Sequence, residues 1–297
     1  MIFLLRSLMP SALEHIIDPE TIQNVKDFEW LSKLLSRGYT HGKHFSNRLG
    51  SGNEFQQFRP YVPGDDIRGI DWKMYAKTEK YYIRQTDVES ERKYLFIIDN
   101  SPSMKYRENG WTKLLLTKLL VAAMSRIVSN QGDGFGIMAG GLELPIKSGL
   151  RHWQYMIEEL YRLDFSTLEF PMEASLGKNV SVAYYSDFYH PSQEIERRLK
   201  NYKTPQTDVI NFHLLGGAEK TLNFTRNSTF VDLESSEKID VDAPATRQEY
   251  ERKLSAHINT VRRLSYRLGA DYYEVNMNGK LSEVLRHFFH RMQFSPT

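Results

Sequence analysis

Apolar and polar positions follow two different rhythms along the chain. Between residues 11 and 37, Leu13, Ile16, Ile17, Ile22, Val25, Phe28, Leu31, Leu34 and Leu35 recur at steps of three and four. That spacing lines one face of a helix. Asp18-Pro19 breaks it and predicts a restart, with Asp18 as N-cap and Pro19 at the first helical position. Gly38 is expected to end the helix. From Tyr94 the rhythm changes. Tyr94-Leu95-Phe96-Ile97-Ile98 is an unbroken apolar run, the signature of a strand buried on both faces of a parallel sheet. Residues 111–130 are apolar almost all round, which predicts a buried helix. Beyond them, strands are expected at 135–138, 142–146, 180–185, 209–215 and 272–275. Helices are expected at 151–163, 193–201, 245–268 and 281–292, with a hairpin or loop at 221–243. Repeated strand–helix alternation argues an α/β fold with a mostly parallel sheet and helices on both faces.

The segment 38–93 fits neither rhythm. It holds Gly50 and Gly52, then Arg59-Pro60-Tyr61, the turn signal Pro63-Gly64, Asp65-Asp66, Arg68 and Ile70-Asp71-Trp72. No lysine and hydroxyl follow the glycines as a phosphate loop requires. Arg59, Arg68 and Arg84 beside Asp65, Asp66 and Asp71 read as a loop network tied by arginine–carboxylate pairs. Strands are expected at 81–88 and 93–98, joined by the acidic turn Glu89-Ser90-Glu91. The expected division is an N-terminal helical and β extension over 1–90 and the α/β domain over 91–297.

Composition narrows the classes. The 39 basic and 37 acidic residues leave a net charge of +2, so no global field points to nucleic acid or an anionic membrane. The absence of cysteine excludes disulfides and thiolate chemistry and agrees with a reducing, cytoplasmic setting. Met1-Ile2-Phe3-Leu4-Leu5-Arg6 is too short to span a bilayer and lacks the regions of a signal peptide. It reads as an unstructured leader, or as an early translation start with Met9 as the alternative. No transmembrane segment is expected, and peripheral membrane association stays open.

The candidate chemistry sits just after the buried strand. Asp99, Ser101 and Ser103 place one carboxylate and two hydroxyls at alternate positions of a loop leading to a helix. Asp and Ser ahead of a helix are often plain caps. Here Asp187 ends a second strand, and Thr167, with Ser166 as its rival, supplies a hydroxyl from a loop between. Such loops converge at the carboxyl edge of an open α/β sheet, where ligands bind. Oxygen donors of this kind suit Mg²⁺ or Mn²⁺. His287 and His290, at helical spacing, read as a solvated face, and His41 and His44 as structural or surface residues. Arg197-Arg198 and Arg262-Arg263 also read as solvated faces.

Asp99 to Ser103 resemble the metal-ion-dependent adhesion site (MIDAS) of von Willebrand factor A domains. The wider chain resembles a bacterial family of that fold, domain-of-unknown-function family 58. Gly52-Asn53-Glu54-Phe55, Arg59-Pro60-Tyr61, Pro63-Gly64-Asp65-Asp66, Arg68, Ile70-Asp71-Trp72, Gly132-Asp133, Ser186-Asp187-Phe188, Ala218-Glu219 and Phe230-Val231-Asp232-Leu233-Glu234 carry the likeness, over about residues 20–292. The resemblance implies that Ser101 and Ser103 bind the ion directly and Thr167 directly or through water. Asp99 and Asp187 would hold coordinated waters, and an acidic side chain of a partner would take the open position. It also implies the partner, a MoxR-type AAA+ ATPase, in a chaperone-like system that matures or remodels client proteins. The stretch between Thr167 and Ser186 is short and holds Pro171, where relatives carry a full helix. The competing readings are a Mg²⁺-dependent phosphohydrolase using Asp99 or Asp187, and a metal-free scaffold in which Ser101 and Ser103 only cap. Metal-assisted hydrolysis normally draws on more carboxylates than this loop offers.

Overall fold

The computed structural model describes residues 18–41, 55–62, 70–86, 92–166, 179–221, 228–231, 238–241 and 243–293. The expectations for the leader, for Gly50 and Gly52, for the Pro63-Gly64 turn and its charged network, for His44, for the acidic turn at 89–91 and for Thr167 and Pro171 lie outside these residues. The chain divides into two units, residues 1–43 with 92–297, and residues 44–91.

Asp18 caps a single 3₁₀ turn, Pro19–Thr21, by accepting from the Glu20 amide. The main helix α1, Val25–His41, starts afresh from Asn24, whose Oδ1 accepts from the amides of Lys26 and Asp27. It runs through Gly38, the expected stop, because a glycine can remain helical at a modest cost in propensity. Phe28, Leu31 and Leu35 are buried in the same core as the long helix of the α/β unit. The expected boundary at residue 90 groups α1 with the following segment. Its buried face places it in the large unit instead.

The smaller unit pairs β1 (Phe55–Pro60) with β2 (Tyr82–Thr86) antiparallel, with α2 (Trp72–Thr78) between them in sequence. Asp71 is the N-cap of α2 and accepts from the Met74 amide. Tyr75 stacks on Tyr81 at a centroid distance of 4.7 Å.

The large unit is built on β3 (Lys93–Ile98). A two-residue hairpin, β4 (Arg107–Glu108) and β5 (Trp111–Thr112), precedes α3 (Lys113–Asn130). The helix therefore starts two residues later than its apolar pattern, because Thr112 caps it by accepting from the Leu115 amide. Next come β6 (Gly134–Ala139), β7 (Leu142–Lys147), α4 (Leu150–Arg162), β8 (Val180–Ser186), α5 (Ser192–Tyr202), β9 (Thr207–Leu215) and the short α6 (Gly217–Thr221). The hairpin β10 (Ser228–Val231) with β11 (Lys238–Val241), then α7 (Ala243–Arg267), β12 (Asp271–Asn276) and α8 (Leu281–Gln293) complete it.

Six strands form one sheet in the order β12-β9-β8-β3-β6-β7, parallel except for the antiparallel edge β7. This is the mostly parallel sheet with helices on both faces that the alternation predicts, in keeping with the von Willebrand factor A-like fold that the resemblance implies. The two-residue period of β3 divides the core. Tyr94, Phe96 and Ile98 pack with residues of α1, α3, α4 and α8. Leu95 and Ile97 pack on the other face with residues of α5 and α7. Because the chain runs from β3 to one side and returns to the other at β8, the order reverses beside β3. A ligand crevice is expected outside the carboxyl ends of the strands there.

Candidate metal centre

The Asp99 amide donates to the Tyr185 carbonyl at 2.9 Å, extending the ladder between β3 and β8 by one residue. Its side chain is fully buried and both oxygens are engaged. Oδ1 accepts from the Ser101 amide at 3.0 Å and Oδ2 from the Ser186 hydroxyl at 2.6 Å. Asp99 therefore shapes the loop rather than facing a ligand. Asn100 fastens the neighbouring loops. Its Nδ2 donates to the carbonyls of Gly140 and Asp164, its Oδ1 accepts from the Gly140 amide, and its carbonyl accepts from the Ser166 amide.

Ser101 is the first residue before a 3₁₀ turn, Pro102–Lys105, and its side chain does not cap it. The hydroxyls of Ser101 and Ser103 lie 3.0 Å apart, and the Ser103 hydroxyl donates to Asp187 Oδ1 at 3.2 Å. Two hydroxyls and one carboxylate oxygen thus meet at the rim of β3 and β8. Ser103 and Asp187 are buried, while Ser101 is half-buried and opens toward solvent. Phe188, just after Asp187, has φ = 54°, a conformation rare for a bulky residue, at the bend that presents the carboxylate. His190 brings Nε2 to 3.9 Å from Asp99 Oδ2.

Four of the five residues expected at the site, Asp99, Ser101, Ser103 and Asp187, come together. Thr167 lies outside the described residues. Its neighbour in sequence, Ser166, donates its amide to the Asn100 carbonyl at 2.8 Å. Among the described residues, no three His, Cys, Asp or Glu side chains form a metal-holding group. His287 stacks on Tyr273 at 4.1 Å, in keeping with a structural role.

The inner side of Asp187 holds a group that the apolar pattern of α3 passes over. Lys113, the first residue of α3, is wholly buried, and its Nζ donates to Asp187 Oδ2 at 3.1 Å and to Glu219 Oε1 at 2.8 Å. The ammonium also lies 5.0 Å and 4.9 Å from the ring centroids of Tyr106 and Tyr189. Burial raises the Glu219 carboxyl above the usual carboxylate range, and the Lys113 charge opposes that shift. Glu219 Oε2 accepts from the Gly216 amide at 2.7 Å. A Cβ at Gly216 would lie 2.4 Å from Cε1 of Tyr106, so only glycine lets α6 approach the hairpin this closely. A lysine within an apolar helix signals a buried cation in need of polar partners, which for Lys113 are acidic.

A model of the family described as "Protein of unknown function DUF58" matches residues 57–260. The chain belongs to this family. Uncharacterized protein Rv1480 of Mycobacterium tuberculosis is 25% identical over 277 residues, covering 88% of this chain and 86% of that protein. Uncharacterized protein Mb1516 of Mycobacterium bovis gives the same figures. Among solved structures, the chain is similar to the conserved hypothetical protein BatB from Bacteroides thetaiotaomicron at 11% identity and a TM-score of 0.39. That match covers 69% of this chain and 100% of BatB. It is also similar to the SpRpn10 VWA domain at 12% identity and a TM-score of 0.36, covering 66% of this chain and 94% of that domain. Among the described residues, no helix is long and apolar enough to cross a membrane.

Beneath the site, His213 is fully buried, with its Nδ1 2.7 Å from the Tyr272 hydroxyl. Burial, then the nearby His257 and Lys113, hold its pKa down at about 3. An unfolded histidine titrates near ~6.5. Between those values the unfolded chain binds more protons than the native one, so stability falls as pH drops through this window. Urea denaturation from pH 7 to pH 4 should show that fall, and His213→Phe should make it shallower.

Proposed function

We propose that this protein is a metal-dependent interaction module that captures an acidic side chain of a partner through Ser101, Ser103 and Asp187. The supporting observation is the meeting of two hydroxyls and Asp187 Oδ1 within 3.2 Å at the strand edges. This donor set fits a hard divalent cation such as Mg²⁺ or Mn²⁺. Ser101 and Ser103 would hold the ion, with Asp187 and the Thr167 or Ser166 loop beside it. Asp99 would serve by fixing the loop. Bound there, the ion supplies positive charge for an incoming carboxylate. A shell with so few carboxylates suits capture better than activation of water, so the proposal assigns no catalytic activity. The family resemblance supports a MoxR-type AAA+ ATPase or its client as partner, and the lack of cysteine agrees with a cytoplasmic setting.

One observation favours a second reading. Lys113 already gives Asp187 a cation, so a metal-free scaffold could stand on internal contacts alone. A pull-down with a candidate MoxR-type ATPase separates the two. The proposal expects binding in Mg²⁺ that is lost in EDTA and in the Ser101→Ala/Ser103→Ala variant. Binding indifferent to both would favour the scaffold.

A further inference from the structure

The Lys113 ammonium brings to this centre a charge of the same sign as the ion. Its two carboxylate contacts divide the work. Lys113 Nζ donates to Glu219 Oε1 at 2.8 Å and to Asp187 Oδ2 at 3.1 Å, so one ammonium engages both acids. Asp187 therefore offers only Oδ1 toward Ser103 and the solvent side, and that oxygen also accepts from the Tyr189 amide at 3.3 Å. The ammonium cannot swing away. Tyr106 and Tyr189 flank it, and the close fit of Gly216 keeps Glu219 in place.

We infer that Lys113 is a positioning residue that keeps the centre's own hold on a divalent cation weak, so that the ion is retained only when a partner's carboxylate joins it. This rests on the adhesion reading above. The physical argument is donor capacity as well as charge. The Lys113 ammonium, 3.1 Å from Asp187 Oδ2, takes one of the two oxygens that carboxylate could offer a cation and offsets its charge there. Asp99 offers the ion no free oxygen, because both are engaged in shaping the loop. The further oxygen donor, with its charge, comes from the partner. Ion and acidic partner then favour each other's binding reciprocally.

The test is Mn²⁺ titration of the full chain, followed by electron paramagnetic resonance of the free ion. Wild type is compared with Lys113→Arg, Lys113→Met and Lys113→Met/Glu219→Gln. The double variant guards against a fold lost to unpaired carboxylates, and near-ultraviolet circular dichroism confirms that it is folded. The expected result is Mn²⁺ affinity about tenfold tighter or more in the folded double variant, which frees Asp187 Oδ2 without changing the net charge, with Lys113→Arg remaining as weak as wild type. Tighter binding is not what structural damage produces. Binding by the double variant where wild type binds none supports the inference equally. Affinity unchanged or weakened in the folded double variant overturns it. Wild-type binding that Ser101→Ala/Ser103→Ala abolishes would leave the adhesion reading standing. No binding by any of these proteins overturns both.

Discussion

Replacing Lys113 with methionine should cost the fold about 3–5 kcal/mol, the range for breaking a buried ion pair from one side. The magnitude follows from what stays behind. Asp187 would lose its donor on Oδ2, and Glu219 would keep only the Gly216 amide. Both carboxylates are removed from water, with side-chain exposures of 1% and 12%. The methionine recovers some packing against Tyr106 and Tyr189 but no charge. Urea denaturation reads the loss as a lower midpoint with little change in slope. Adding Glu219→Gln should restore a substantial part, because an amide replaces one of the two stranded charges. A single variant as stable as wild type would mean that Asp187 and Glu219 find other partners, and the tripartite cluster would lose its structural meaning.

Trp153→Ala should have a comparable effect, about 3–5 kcal/mol. Trp153 is fully buried on α4, and its indole donates to the Ala122 carbonyl of α3 at 3.1 Å. Arg126 lies over the same ring at 4.9 Å. Truncation would leave a cavity between α3 and α4, and the Ala122 carbonyl would keep only its partners within α3, the Ser125 hydroxyl at 3.1 Å among them. It should also reach the candidate centre, because Lys118 of α3 donates to the carbonyls of Tyr161 and Leu163 just before the loop that meets Asn100. Thermal unfolding should show the lower stability. Amide exchange should show faster opening of residues 161–166. A stable variant with unaltered exchange there would show that α4 does not support this rim.

The large unit was legible because its signals are redundant. Tyr94–Ile98 reads as a two-sided buried strand from its own composition, and the face of Trp153, Met156, Ile157 and Leu160 is buried as its spacing implies. Boundaries slipped where one side chain outweighed the pattern, as when Thr112 delayed α3 or Gly38 failed to stop α1. At the centre, Asp99, Ser101 and Ser103 are local in sequence, and Asp187 stands at a strand end, so their meeting follows from the topology. Lys113 was hidden because helical periodicity weighs hydrophobicity and does not say which charged residue turns inward. Its partners, 74 and 106 residues away, become visible only when the sheet is assembled. Asn100 escaped for a similar reason, since its role lies in backbone groups of two other loops.

The central claim is that Ser101, Ser103 and Asp187 hold a divalent cation. Calorimetric titration of Mg²⁺ and Mn²⁺ into wild type and into the folded Ser101→Ala/Ser103→Ala variant, each with a candidate MoxR-type ATPase present, tests it most directly. The account predicts saturable binding by wild type and none above background by the variant. Equal binding by both would contradict it.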